Sequence, residues 1–158
     1  RATGVRPSAN RRADRGRERV PGRPPHGPGS AGGRSLTAAL GGKVRTALET
    51  AIKLDPKHAD AHIALGTFNA EVIEKVGAMI GKMTYGASKD AAVENFDKAL
   101  KLNPTSAIAR TEYANALFTL FGKAKVKDAE KLYAEAAACE PMDAMECLDI
   151  EAAKAELE

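Results

Sequence analysis

The chain has 158 residues, 44% of them apolar, which is the size of a single domain with one core. Its net charge of +3 is unevenly divided: residues 1–35 hold nine Arg against Asp14 and Glu18, a balance of +7, while residues 36–158 balance at −4. The basic character therefore belongs to a tail and gives no ground for reading the body as a nucleic-acid binder, and no run approaches the 18 apolar residues that a membrane-spanning helix needs.

Residues 1–40 are rich in Arg, Pro and Gly, with "PGRPPHGPGSAGG" at residues 21–33. Ordering a backbone costs roughly 1–2 kcal/mol per residue, and the few apolar side chains here cannot offset that. A disordered or irregular tail is expected, offering at most nonspecific contact with nucleic acid or another polyanion. The folded body should occupy residues 41–158. Its two cysteines, Cys139 and Cys147, make no disulfide framework; free thiols and a reducing, cytoplasmic setting are the expectation.

From Lys43 to Leu54, Val44, Ala47, Leu48, Ala51 and Ile52 share one helix face, and Asp55-Pro56 ends the helix because proline restricts its predecessor and cannot donate. A second helix should start at His58 or Ala59, carry Ile63, Leu65, Phe68, Val72, Ile73 and Val76, and continue towards Met79 and Ile80. Gly77, Gly81 and "TYGASKD" at Thr84 to Asp90 interrupt the pattern. Ser88 is placed to cap a helix through Val93, Phe96 and Leu100, and Ser106 one from Ile108 to Phe121. "FGKAK" then turns the chain, helix resumes with Val126, Ala129, Leu132, Tyr133, Ala136 and Ala137 and ends at Glu140 and Pro141, and Ala144 to Leu157 forms a last helix with Cys147, Leu148 and Ile150 as its better apolar residues. Its charged outer face reads as a terminal cap.

Aligning Pro56, Pro104 and Pro141 sets Leu48, Phe96 and Tyr133 eight residues before their prolines, with Ala51, Ala99 and Ala136 five before. A bulky residue followed at i+3 by a small one lets a neighbouring helix approach closely. On these residues the chain resembles the tetratricopeptide repeats, helix-turn-helix units of about 34 residues. Leu65-Gly66 matches the family's first-helix pair, and Ala92, Phe96, Ala99 and Pro104 its second-helix series; the next unit keeps Ala129, Tyr133, Ala136 and Pro141 but has Tyr113-Ala114 for Leu-Gly. His62 stands where the family has Trp, and Asn69 where it has Tyr. Pro56 to Pro104 spans 48 residues, which predicts a lengthened central hairpin. Its Tyr-Gly-Ala-Ser-Lys-Asp turn is similar to turns of bacterial repeat proteins.

The resemblance implies an all-α fold of antiparallel helix pairs stacked in a short right-handed superhelix. It implies a noncatalytic scaffold that binds a protein or peptide on its concave side, lined by Asp60, Ile63, Thr67, Ala70, Glu71, Ile108, Thr111, Asn115, Phe118 and Thr119. Because Ile63 and Thr111 stand where a Lys would grip a carboxylate, a hydrophobic or neutral segment fits better than an acidic tail. The alternative is assembly into a homo-oligomer through Met79, Ile80 and Met83 on the central hairpin.

Catalytic and metal chemistry finds little support in the residues. His58 and His62 share a helix face but lack a third ligand, so no metal is expected. "LGGKVRT" at Leu40 to Thr46 lacks the leading glycine and the Lys-Ser/Thr adjacency of a phosphate loop, so no nucleotide or other cofactor is expected. Glu94 with Lys98 and Asp97 with Lys101 have the i,i+4 spacing of surface ion pairs, worth about 0.2–0.5 kcal/mol each. Neither cysteine carries an activating signature. No enzymatic activity is expected.

Overall fold

The computed structural model describes residues 29–158, with side chains from Leu40 onward. Among these the chain is all-α: α1 (Gly29–Leu54), α2 (Ala59–Val76), the single turn α3 (Ala78–Ile80) running into a π-helical turn (Gly81–Tyr85), α4 (Lys89–Leu102), α5 (Ala107–Phe121), a 3-10 turn (Gly122–Lys125), α6 (Val126–Ala137) and α7 (Ala144–Ala155). The tail expected over residues 1–40 lies outside the described residues as far as position 28. From Gly29 the backbone is already helical, well before the expected start near Lys43. Helix growth adds one hydrogen bond per residue once a nucleus is fixed. Contacts at Gly41 and Arg45 anchor that nucleus.

Four helix starts are held by side-chain caps. His58 Nδ1 accepts from the Ala61 amide at 3.3 Å, Ser88 Oγ from Ala91 at 3.1 Å, Ser106 Oγ from Ala109 at 3.2 Å and Asp143 Oδ1 from Glu146 at 2.9 Å. Each supplies an acceptor to an amide that the helix cannot satisfy itself. Pro56 and Pro104 follow the ends of α1 and α4, as their φ restriction requires.

The helices pack mainly as α2 on α4 and α5 on α6, with α2 beside α5, α1 on α2, and α7 against both α5 and α6. Phe96 is fully buried at the first junction and stacks on Tyr113, their centroids 5.1 Å apart and planes 9° from parallel. Its ring lies so close to α2 that a Cβ on Gly66 would fall 2.8 Å from Phe96 Cε2. At the second junction Tyr133 packs with Ala114, Leu117, Ala129, Ala136 and Ala153. The bulky-small register thus buries Phe96 with Ala99 and Tyr133 with Ala136, whereas Leu48 and Ala51 on α1 are only half-buried.

Two buried polar side chains of α2 have internal partners. His62 is buried with Nδ1 3.0 Å from Asn95 Oδ1, a contact between α2 and α4. Asn69 donates to the Leu65 carbonyl at 2.6 Å and accepts from the Ser88 amide at 3.2 Å, tying the middle of α2 to the cap of α4.

The central connection differs from a lengthened helical hairpin. α2 stops at Val76, because Gly77 takes φ 82, a conformation that a side chain disfavours, and its N–H closes on the Ile73 carbonyl. The following residues fold back in tight turns: Gly81 and Ala87 are buried, and Tyr85 packs on the core. Arg45 Nη1 donates to the Tyr85 carbonyl at 2.6 Å while its Nε pairs with Glu49 at 2.7 Å, so the connector is docked on α1. At the other end, α7 buries Ile150 and Ala153 but leaves Cys147 and Leu148 exposed, together with Met145. The last helix is therefore less polar on its outside than expected.

Candidate functional site

The side-by-side packing of α2 and α5 creates a face whose residues recur at helical spacing: Thr67, Ala70, Glu71 and Glu74 from α2, and Ile108, Glu112, Asn115 and Thr119 from α5. Two depressions share Thr67, Glu71 and Glu112 and so form one continuous groove. The first, about 570 Å³, has an apolar floor that includes Val44 and Leu48 from α1, Ile63 and Phe68 from α2, and Ile108 from α5. The second, about 260 Å³, is polar and runs on to Asn115 and Thr119.

Hydrogen bonds fix its polar side chains. Thr67 Oγ1 donates to Glu112 Oε2 at 3.1 Å across the helix interface, and Lys75 binds Glu71 at 3.0 Å. Asn115 Oδ1 accepts the hydroxyl of Tyr133, which turns the amide nitrogen of Asn115 outward with two N–H donors and no protein partner among the described residues. Burial, with the charges of Glu156 and Glu112 added, raises the Tyr133 pKa above the ordinary tyrosine value, so this hydroxyl remains a donor at neutral pH.

Of the residues that the sequence assigned to the face, Asp60, Thr67, Ala70, Glu71, Ile108, Asn115 and Thr119 line the groove. Ile63 contributes to the floor but is only 7% exposed. Thr111 does not line it: the residue is buried, and its hydroxyl oxygen has no partner among the described residues. Phe118 is 60% exposed and lines a further depression of about 380 Å³ with Val126 and Tyr133, which adjoins the polar half of the groove through Asn115 and Thr119. Groove residues not expected from the sequence include Val44, Leu48, Phe68, Glu74 and Glu112. Glu112 was legible from its place between Ile108 and Asn115, but the contribution of α1 depended on its packing angle.

Met79, Ile80 and Met83 sit together on the connector and are 75%, 52% and 82% exposed. The two histidines take separate roles, His58 as an exposed cap and His62 in the interior. Glu94 pairs with Lys98 at 2.7 Å, which lowers the Glu94 pKa. Asp97 makes no ion pair with Lys101 among the described residues; it faces the Tyr113 hydroxyl instead. No group of three His, Cys, Asp or Glu among the described residues is placed to hold a metal ion, and none of their helices is long and apolar enough to cross a membrane. Compared with protein families, curated proteins and solved structures, the chain gives no match.

Proposed function

We propose that the protein is a noncatalytic binding scaffold of the tetratricopeptide-repeat type, taking an extended protein or peptide segment along the α2–α5 face. The observation that carries this reading is the open apolar groove of about 570 Å³ floored by α1, α2 and α5, joined to a polar extension where Asn115 presents free amide donors. Apolar side chains of the segment would fill the floor, and its backbone carbonyls would accept from Asn115. Glu74 and Glu112 line the polar half with no Lys or Arg among its lining residues, and Glu71 is already paired with Lys75, so the partner is a hydrophobic or neutral segment, and an acidic tail is repelled.

The test is selection of peptides from a random library on the immobilised full chain, followed by affinity measurement. Enriched peptides should be apolar and poor in acids. They should lose at least tenfold in affinity on Val44→Glu, a half-exposed site where a charge leaves the core intact, and several-fold on Asn115→Ala. Equal binding to wild type and both variants would overturn the reading. The exposed Met79, Ile80 and Met83 support a second reading, self-association through the connector. It requires a molar mass by light scattering that rises with concentration and falls back on Met79→Glu with Ile80→Glu.

A further inference from the structure

The face of α5 that carries Tyr113, Leu117 and Phe121 looks away from the groove just described, since Tyr113 and Asn115 lie two residues and so about 200° apart around the helix. It floors another cleft of about 720 Å³, walled by α4 on one side and α6 on the other. Five carboxylates line it: Asp90, Glu94 and Asp97 from α4, and Asp128 and Glu135 from α6, against Lys125 and Lys131.

The charge is not evenly spread. Lys125 meets Asp128 at 2.6 Å, and Glu135 lies 3.4 Å from Arg110 of α5 and 3.8 Å from Lys131, so the α6 wall is largely neutralised. On the α4 wall Glu94 is paired with Lys98, but Asp90 and Asp97 have no ion-pair partner among the described residues. They stand seven residues apart, about 10 Å along the helix, the length of roughly three extended peptide residues.

We propose that this cleft docks an extended basic peptide segment, with the aliphatic stem of an Arg or Lys lying on Tyr113, Leu117 and Phe121 and its charge held by Asp90 and Asp97. The charge complementarity is with the α4 wall, and the floor suits a long cationic side chain because its stem is apolar and its head is attracted to aromatic faces. The Phe121 ring already attracts one cation: Lys89 Nζ lies 4.9 Å from its centre and donates to the Leu120 carbonyl. Tyr113 is pinned by its stack on Phe96, so the floor is preformed. The Tyr113 hydroxyl, pushed up to about 12 by burial and then by the carboxylates of Asp97 and Asp128, reports the same negative potential.

The test is fluorescence anisotropy of a labelled octapeptide of alternating arginine and leucine with the full chain. An octapeptide of alternating glutamate and leucine serves as control, and folding of every variant is checked by circular dichroism. The basic probe should bind and the acidic one should not. Asp90→Asn with Asp97→Asn should weaken binding at least tenfold. Lys125→Ala with Lys131→Ala, by freeing Asp128 and leaving Glu135 to Arg110 alone, should tighten it several-fold, a gain that unfolding cannot mimic. Val44→Glu and Asn115→Ala, which alter the α2–α5 groove, should leave it unchanged, so failure here and failure of the other groove are separable. Absence of binding, indifference to the Asp pair, or weakening on removal of the two lysines would each overturn the proposal. Competition by a peptide of residues 1–28 at the same Asp pair would identify the basic tail of the chain as one such segment.

Discussion

Gly66→Ala sets two physical effects of opposite sign against each other at one position. In the middle of α2, alanine is a better helix former than glycine by about 1 kcal/mol. The added methyl, however, would sit 2.8 Å from Phe96 Cε2 and 3.0 Å from Cδ2 and Cζ, below any normal carbon contact. Phe96 cannot swing aside, being fully buried and stacked on Tyr113. Overpacking of this kind costs about 1–3 kcal/mol, so the net effect in the wild-type background is a loss of about 1 kcal/mol. With Phe96→Leu in place, the offending ring edge is gone. The same Gly66→Ala change should then become neutral or stabilising by up to about 1 kcal/mol, although the background itself is less stable. Urea denaturation followed by far-ultraviolet circular dichroism gives all four stabilities of the cycle, with the slope watched for constancy. A stabilising effect of Gly66→Ala in the wild type, or an equal loss in both backgrounds, would refute the close approach of α2 to Phe96 on which the first junction rests.

Two further outcomes follow from the caps and the tyrosines. Ser106→Ala should cost about 1–2 kcal/mol and exceed Ser88→Ala, because Ser106 is buried and the Ala109 amide it leaves would have no water to replace the oxygen; urea midpoints of the two variants decide this. Alkaline titration should be stepped. Tyr113 has a folded pKa of about 12 against an ordinary 10, so its contribution to stability is complete below pH 10 and is lost as pH rises towards 12. Absorbance at 295 nm should show tyrosinate forming late in the folded protein, Tyr133 also being held above its ordinary value, and Tyr113→Phe should remove the latest step.

The helices themselves were legible from local information. Asp55-Pro56 and Asn103-Pro104 stop helices by the sterics of the residue before proline, Ser88 and Ser106 start them through one hydrogen bond, and the 3.6-residue period puts Phe96 with Ala99 and Tyr133 with Ala136 on buried stripes. These effects act over a few residues, so no knowledge of the fold is needed to apply them. What surrounds each stripe was not legible. Leu48 has the same local pattern as Phe96 and Tyr133, yet it is half-buried and floors a groove, because burial depends on which helices happen to lie beside α1. Thr111 and Asn115 are one turn apart, but one is interior and the other presents its amide to solvent. The connector after Val76 folded back on α1 through the bond from Arg45 to the Tyr85 carbonyl, a contact across 40 residues. The acidic cleft between α4 and α6 likewise joins residues from three helices. Periodicity fixes which side of a helix is apolar, whereas the angles at which helices cross, and so the clefts between them, come from side-chain packing between segments distant in sequence.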